Sequence, residues 1–335
     1  MVDYMHKNTT PICQFTIRLK TNIIYLVVAV FSTILISCEK TPVETVQKSF
    51  RTQNVIIVVI DGPRYLDTWD STSLARIPNM AKILRPKGTF FSKFYNNGYT
   101  YTNSGHTAIT TGNRQPIDNN GKELPKNPSL FQYWLKHSGK PANSAWIITS
   151  KGKLNILANT QHPDWHNTYQ PSTNCGIENT NNGYRNDSLT LIEAKRILKE
   201  HQPNLALINF REPDAAGHSG NWREYLKGIT TSDRYVTQLW DFLQKDTFYK
   251  DKTALFITND HGRHTYGSSG DFINHGDQCE GCQHISLLAL GPDFPKGKTI
   301  ETKYNQTDIS ATVAALLGFS FDVTEGQKIQ ELLTK

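Results

Sequence analysis

Four segments of this 335-residue chain carry hydroxyl, carboxylate and imidazole groups at spacings that let them act together. The first, Thr102-Asn103-Ser104-Gly105-His106-Thr107-Ala108-Ile109-Thr110-Thr111-Gly112, sets a hydroxyl just ahead of a small-residue turn that can open a helix. A helix N-terminus is electropositive and presents free backbone N–H groups, so a nucleophile there stands where an incoming anion is already stabilised. Thr102 is the candidate. Taken alone, such a stretch also describes a polar loop capping a short helix. The remaining segments are Asp61-Gly62, then Pro213-Asp214-Ala215-Ala216-Gly217-His218, and then Asp260-His261-Gly262, with His264, His275 and His284 further on.

A single Asp such as Asp61 can be a turn residue, and one Asp-His pair is commonplace. A whole set of carboxylates and imidazoles at strand ends is hard to explain as packing, because buried charges are costly unless paired or metal-bound. Mixed nitrogen and oxygen ligands suit Zn²⁺. Two such ions about 4 Å apart would clamp the attacking and leaving oxygens of a phosphoryl displacement.

The elements that must position these groups are legible as apolar runs. Val55 to Ile60 is a continuous β-branched stretch, as expected for a strand buried on both faces of a parallel sheet, and it runs straight into Asp61. An acid at the carboxyl end of a central strand stands where open α/β sheets place their ligands. Further strands are expected at Phe90 to Tyr95, Ala145 to Thr149, Leu205 to Phe210, Thr253 to Thr258 and Ile285 to Leu290. Helices are expected at Ile77 to Leu84, Thr102 to Thr111, near Ser129 to His137, Leu189 to His201, about Tyr225 to Leu243, and Asp308 to Leu317. The helix after Asn186 has apolar positions at Leu189, Ile192, Ala194 and Leu198, and the next has a core face of Ile229, Val236, Leu239 and Leu243. Ser150-Lys151-Gly152-Lys153 follows a strand, so its lysines are either solvated surface or directed into the site. Residues from Asn159 to Asp187 form a long polar segment that reads as a cap selecting substrate.

Length and a hydrophobic content of 37% suit one α/β domain, a mostly parallel central sheet flanked by helices, with the cap inserted. That domain is expected at 55–335. Ahead of it, Arg18 and Lys20 precede an apolar run from Ile23 to Ile36, short for a bilayer span and better matched to a signal-peptide core. Leu35-Ile36-Ser37-Cys38 resembles the lipobox of bacterial lipoproteins, which implies a signal peptide at 1–37, a lipidated Cys38 and a polar tether at 38–54. An uncleaved anchor helix is the alternative, and either arrangement puts the domain in the bacterial cell envelope, held to the membrane in the periplasm or at the outer membrane. Removing residues 1–37 deletes Lys7, Arg18, Lys20 and Asp3, so the net charge falls from +6 to +4, too mild to argue for nucleic acid. Cys175, Cys279 and Cys282 then remain; a lone C-x-x-C is not a four-ligand zinc knuckle, and in an oxidising compartment Cys279 and Cys282 could close a small disulfide.

From Asp61 to about Leu317 the chain resembles the alkaline phosphatase superfamily, which includes phosphatases, nucleotide pyrophosphatase/phosphodiesterases and sulfatases. The resemblance rests on Asp61-Gly62, on Thr102 with His106 and Thr111-Gly112, on Pro213 to His218, and on Asp260-His261-Gly262. It implies that Asp61, Thr102, Asp260 and His261 bind one metal, and that Asp214, His218 and a third His bind the other. His275 is preferred to His284 as that third ligand, because in this superfamily the ligand stands in a loop before the last core strand. Asn119 resembles the amide that contacts a nonbridging oxygen in phosphodiesterase relatives, with Asn120 or Asn97 as alternatives. Lys151 and Lys153 resemble the Ser-x-Lys-x-Arg region of some bacterial periplasmic phosphomonoesterases, with Lys153 in place of Arg.

The resemblance therefore implies a two-zinc phosphomonoesterase, with Mn²⁺ or another divalent ion as alternatives to zinc, acting through a covalent phosphothreonine on Thr102. The expected partner is a small-molecule phosphate ester, and the chain is expected to act as a monomer. A phosphodiesterase or nucleotide pyrophosphatase with the same site is the enzymatic alternative; a ligand-binding surface lipoprotein on a degenerate hydrolase fold is the non-enzymatic one. No Cys-x-Pro-x-Arg motif marks a typical sulfatase. His106, Thr107 and His264 are read as supporting residues, since the ligand sets are already complete.

Overall fold

The protein is described by a computed structural model covering residues 50–177, 183–267 and 270–333; the expected signal peptide, Cys38 and the tether as far as residue 49 lie outside the described residues. In chain order the first half runs β1 (Asn54–Ile60), β2 (Thr89–Tyr95), α1 (Thr102–Thr111), α2 (Leu130–Ser138), β3 (Ala145–Thr149) and β4 (Ser172–Cys175). The second half runs α3 (Asp187–His201), β5 (Leu205–Phe210), α4 (Asp214–His218), α5 (Trp222–Lys245), β6 (Thr253–Asn259) and α6 (Glu280–Gln283). It ends with β7 (His284–Leu290), β8 (Lys298–Ile300), β9 (Tyr304–Asn305), α7 (Thr307–Leu317) and α8 (Gln330–Leu333).

The strands form one mixed sheet in the order β4-β3-β5-β1-β6-β7-β2-β8, with β9 also on β2. The five strands from β4 to β6 are mutually parallel, and β7 alone runs against its neighbours β6 and β2. Every residue of β1 is buried, as its uninterrupted apolar run requires. Its side chains alternate between two cores. Val55, Ile57 and Val59 pack with Ile109 of α1, Leu130 and Phe131 of α2 and Ile309 of α7, whereas Ile56, Val58 and Ile60 pack with Leu191 and Ile197 of α3 and Ile229 and Val236 of α5.

Register brings the strand ends together. Ile60 stands opposite both Phe210 and Asn259, so Asp61, Arg211 and Asp260 leave the sheet side by side at its carboxyl edge. Thr149 stands opposite Asn209, which brings Ser150 and Lys151 to the same edge. The buried Asp187 at the start of α3 ties this edge together: its carboxylate accepts from Ser150 Oγ (2.6 Å) and from the backbone N–H groups of Arg211 (2.8 Å) and Glu212 (3.1 Å).

Two features differ from expectation. The segment 159–187 is not purely a loop, since it contains β4, whose polar sequence Ser-Thr-Asn-Cys hides an edge strand from pattern reading. Its first part packs on α2, with buried Trp165 stacked on Tyr133 at 4.3 Å and Gln132 Nε2 donating to the Trp165 carbonyl. On α3 the core face is Leu191, Ala194, Ile197 and Leu198, while Leu189 and Ile192 are 50% and 59% exposed. Among the described residues, no helix is long and apolar enough to cross a membrane.

The buried helix α1 begins after extended Tyr101 and lies directly against the end of β6. A Cβ on Gly105 would stand 2.4 Å from the Asp260 carbonyl oxygen, a backbone atom that has no room to retreat. Gly105→Ala therefore pushes α1, and Thr102 with it, off the strand end. The expected cost is ~1–3 kcal/mol in a denaturant titration; an unchanged midpoint would show that the helix has slack there.

Candidate metal centre

Asp61, Asp260 and His261 meet where β1 and β6 end. All three are fully buried. His261 Nδ1 donates to the Gly262 carbonyl (2.9 Å), which fixes the tautomer and leaves Nε2 with a lone pair. That nitrogen faces Asp61 Oδ1 at 3.6 Å and Asp260 Oδ2 at 3.4 Å. Each of these three atoms is buried with no hydrogen-bond partner. Buried polar atoms are nearly always satisfied, so two carboxylate oxygens and one imidazole nitrogen converging unsatisfied have the chemistry of a divalent cation's ligands.

The remaining oxygens are held. Asp260 Oδ1 accepts from the Gly62 backbone N–H (3.2 Å), and Asp61 Oδ2 takes Asn209 Nδ2 (3.3 Å) and Lys151 Nζ (2.9 Å). Gly62 sits at φ +65, where a Cβ would meet Asp214 Oδ1 at 2.9 Å, so the turn after β1 requires glycine.

Asp214, at the start of α4, anchors a second group. His218 Nε2 and His275 Nε2 each lie 3.4 Å from Asp214 Oδ1 and 3.0 Å from one another. His275 Nδ1 donates to the Thr100 carbonyl (2.7 Å), which leaves Nε2 unprotonated in the neutral ring, and the His275 ring stacks on His261 at 3.8 Å. These residues also fit a cation, but Asp214 already has company. Arg263 Nη1 donates to Oδ1, and Lys151 Nζ donates to Oδ2 at 2.6 Å. The buried Arg263 guanidinium is held by the carbonyls of Phe272 and Ile273.

Charge follows this geometry. Burial, reinforced by Asp260, holds the Asp61 carboxyl well above the usual range. Burial also opposes ionisation of Asp214, but Lys151 and Arg263 outweigh it and hold that carboxyl well below the usual range. Burial likewise pushes the His261, His218 and His275 imidazoles down, toward the neutral form that ligates metals.

Lys151 is the hub. Besides Asp61 and Asp214 it reaches Thr102 Oγ1 at 3.2 Å, and its ammonium lies 5.7 Å from the ring of Tyr184, the cap residue that bridges to it. Lys153 points elsewhere, donating to the Asn119 carbonyl at 3.3 Å; burial and Lys151 push it down to about 8. Asn119 in turn accepts the Asn103 backbone N–H at 3.0 Å, so Lys153 and Asn119 line the first turn of α1. Asn120 is exposed and bonds Asp118. His284 is outside the cluster, sandwiched between Tyr65 and Tyr95 with Nε2 bonded to the Ser92 carbonyl. His106 touches the centre without a free nitrogen: Nδ1 donates to the Thr102 carbonyl (2.8 Å) and Nε2 accepts from Asn209 (3.2 Å).

Pattern reading missed Arg263, Asn209 and Asp187. Asn209 left a signal, a polar residue inside the apolar run of β5; nothing in sequence separates a buried Arg263 from a surface one.

A ring of acids and imidazoles around a helix-borne hydroxyl, at the carboxyl edge of a largely parallel sheet, offers the ligand types of a divalent-metal centre. The profile of the metalloenzyme superfamily matches residues 53–320, and the chain belongs to that superfamily. Among curated proteins, it is similar to a 2,3-bisphosphoglycerate-independent phosphoglycerate mutase of Ureaplasma urealyticum, 38% identical over 56 residues, 17% of this chain and 10% of that protein. It is also similar to a sulfatase of Formosa agariphila, 27% identical over 123 residues, 35% of this chain and 24% of that one. The matches thus span a quarter or less of these relatives' lengths.

Solved structures share the fold across most of the chain. A phosphonate monoester hydrolase from Silicibacter pomeroyi has a TM-score of 0.61 at 14% identity, covering 84% of this chain and 77% of that one. An alkaline phosphatase superfamily protein from Vibrio parahaemolyticus has 0.60 at 18%, covering 86% and 71%. Murine ectonucleotide pyrophosphatase/phosphodiesterase 5 has 0.59 at 16%, covering 82% and 98%. The sheet flanked by helices expected from the sequence is that of the alkaline phosphatase superfamily.

Lys151 neutralises buried carboxylates that a bound cation would neutralise too. In Lys151→Met, cation-free protein is expected to lose ~3–5 kcal/mol, as for any buried ion pair deprived of one partner. Adding a divalent cation should recover most of the loss. Equal losses with and without cation, in paired thermal melts, would show that the lysine and the cation do not share these carboxylates.

Proposed function

We propose that the protein is a metal-dependent phosphoric ester hydrolase whose nucleophile is Thr102 Oγ1. The observation that carries this reading is the meeting, around the single Lys151 ammonium, of Thr102 Oγ1 with Asp61 and Asp214, one carboxylate from each candidate cation group. Asp61, Asp260 and His261, with Thr102, would hold one ion, and Asp214, His218 and His275 a second. A bound divalent ion supplies Lewis acidity, lowering the pKa of the threonine hydroxyl and offsetting phosphoryl charge.

The side chains do the rest. Lys151 donates to Thr102 Oγ1 and favours its alkoxide as the proton leaves. His106 holds the Thr102 carbonyl and so keeps the first turn of α1 oriented toward the strand ends. Attack of Oγ1 on phosphorus forms a phosphothreonine and expels the alcohol; water then cleaves the new P–O bond, releasing phosphate and restoring the hydroxyl. Lys153 stands beside the first turn of α1, where a dianionic monoester gains more from an added cation than a diester does, so a phosphomonoester is the preferred substrate. We place the enzyme in the cell envelope, anchored through Cys38, on the sequence signals alone.

A second reading has its own observation. Arg263 and Lys151 already pair both oxygens of Asp214, which favours a centre with one ion in which these two cationic side chains replace the other.

Four substrates and a metal count test both readings: an aryl phosphate, an aryl methyl phosphodiester, an aryl sulfate and a nucleotide. The expected order puts aryl phosphate first, and Thr102→Ala is expected to lower its kcat/KM by roughly 10³-fold, ~4 kcal/mol, with metal content unchanged. Near-parental turnover would remove Thr102 from the reaction, and a preference for aryl sulfate would replace the phosphate assignment. Asp260→Ala is expected to lose one equivalent of metal relative to the parent. Asp214→Ala loses another if two ions bind, and none if Lys151 and Arg263 hold the second position.

Lys153→Met refines the substrate. It should cost ~1.5–3 kcal/mol in kcat/KM on the monoester and little on the diester; equal losses would make the lysine a support of the fold.

A further inference from the structure

A third group of donors lies behind the candidate centre and has no part in the proposed reaction. His264, Asp277, Cys279 and Cys282 each offer one ligand atom, and the four atoms all lie within 4.8 Å of one another. His264 Nε2 is 3.0 Å from Asp277 Oδ2. Cys279 and Cys282 are free thiols, so the C-x-x-C is not closed as a disulfide, and Cys282 is fully buried.

We propose that these four residues bind a structural zinc ion, distinct from the centre at the strand ends. Two sulfurs, one imidazole nitrogen and one carboxylate oxygen make up the four ligands that a closed tetrahedral zinc site requires. With Zn–S near ~2.3 Å and Zn–N or Zn–O near ~2.0–2.2 Å, tetrahedral donors stand roughly 3.3–3.8 Å apart, so the present set closes with shifts of about 1 Å or less. Thiolates select zinc over magnesium, calcium or manganese. On binding, each thiol releases its proton to solvent, and the two thiolates and the carboxylate offset the ion's charge.

The local backbone is already folded for this. Cys279 ends in extended conformation and begins α6, so that the Cys282 N–H returns to the Cys279 carbonyl (3.1 Å) and both sulfurs face the same side. The Cys279 N–H is bonded to Asp277 Oδ1 (3.0 Å). Gly262 and Gly281 touch so closely that a Cβ on Gly262 would stand 2.0 Å from the Gly281 carbonyl oxygen, and the Gly262 N–H donates to the Cys282 carbonyl (2.8 Å). His264 is thus brought to the cysteines by the same turn that presents His261 and Arg263.

An ion here would join two segments that carry part of the candidate centre to the start of β7. His264 lies just past His261 and Arg263; Asp277 lies just past His275, its carbonyl accepting from Thr100 Oγ1 (2.8 Å); Cys282 leads into β7. The zinc would act as a clasp that holds His264 and Asp277 together and so keeps His275 against Asp214.

Cobalt substitution separates this site from the catalytic one. Full-length protein stripped by chelator and reloaded with Co²⁺ should show the thiolate-to-cobalt charge-transfer absorption, which a centre of nitrogen and oxygen ligands does not give. The band should persist in Asp260→Ala and vanish in Cys279→Ser/Cys282→Ser, with loss of one zinc equivalent when the same variants are grown in zinc. X-ray absorption of the unaltered zinc protein, which needs no variant to fold, should contain a Zn–S shell near ~2.3 Å. Absence of both the band and the shell, or recovery of Cys279–Cys282 as a disulfide from non-reduced protein, overturns the proposal. Neither outcome depends on whether Thr102 is a nucleophile.

Discussion

Everything at the carboxyl edge of the sheet depends on one buried ammonium. Lys151 lies between Asp61 and Asp214, the acids that end β1 and follow β5, and contacts both. Without it, two fully desolvated carboxylates would face each other with Asp260 alongside, an arrangement whose self-repulsion no apolar packing offsets. The lysine's own burial would discharge it, but the acids hold it protonated, above the range of a free lysine. Lys151 and Asp214 are therefore each charged because the other is there, while burial and the neighbouring Asp260 push Asp61 toward its neutral form. With Arg263 on the opposite side of Asp214, the strand ends reach near-neutrality from the protein's own side chains.

Around that core of charge, a layer of neutral hydrogen bonds sets direction. Asn209 holds Asp61 with its amide and faces His106 with the same group; His106 passes the constraint to the carbonyl of Thr102. Asp187 fixes the turns that follow β3 and β5, so Lys151 and Asp214 cannot move independently. The resulting stiffness leaves Asp61 Oδ1, Asp260 Oδ2 and His261 Nε2 converging on one point with none of them in a hydrogen bond.

Long apolar runs made most of the sheet legible from sequence. β3 and β5 fall where Ala145–Thr149 and Leu205–Phe210 predict them, because a strand buried on both faces is apolar along most of its length. β4 escaped notice because an edge strand can be polar, and β8 and β9 because two or three residues carry no period. Asp61, Asp260 and His261 stood out because each follows a strand directly, and Asp214 and His218 because they share one short motif just past β5. Of their cationic partners, Lys151 was a candidate from its place just past β3, with solvated surface as the alternative, whereas Arg263 was not, since position along the chain says nothing of which arginine folds inward. The same limit hid the clasp: C-x-x-C supplies two donors, and only the fold brings His264 and Asp277 to them.

The order of the strands sets how such a protein can be made. β1 is synthesised first and sits in the middle of the sheet, yet both its neighbours come from far downstream, Val55 pairing with Leu205 and Ala254. While the ribosome adds roughly 150 further residues, the most apolar strand of the domain has no partner on either edge. A chain that must wait this long before its centre can close is exposed to aggregation as it emerges and benefits from being held open by a chaperone.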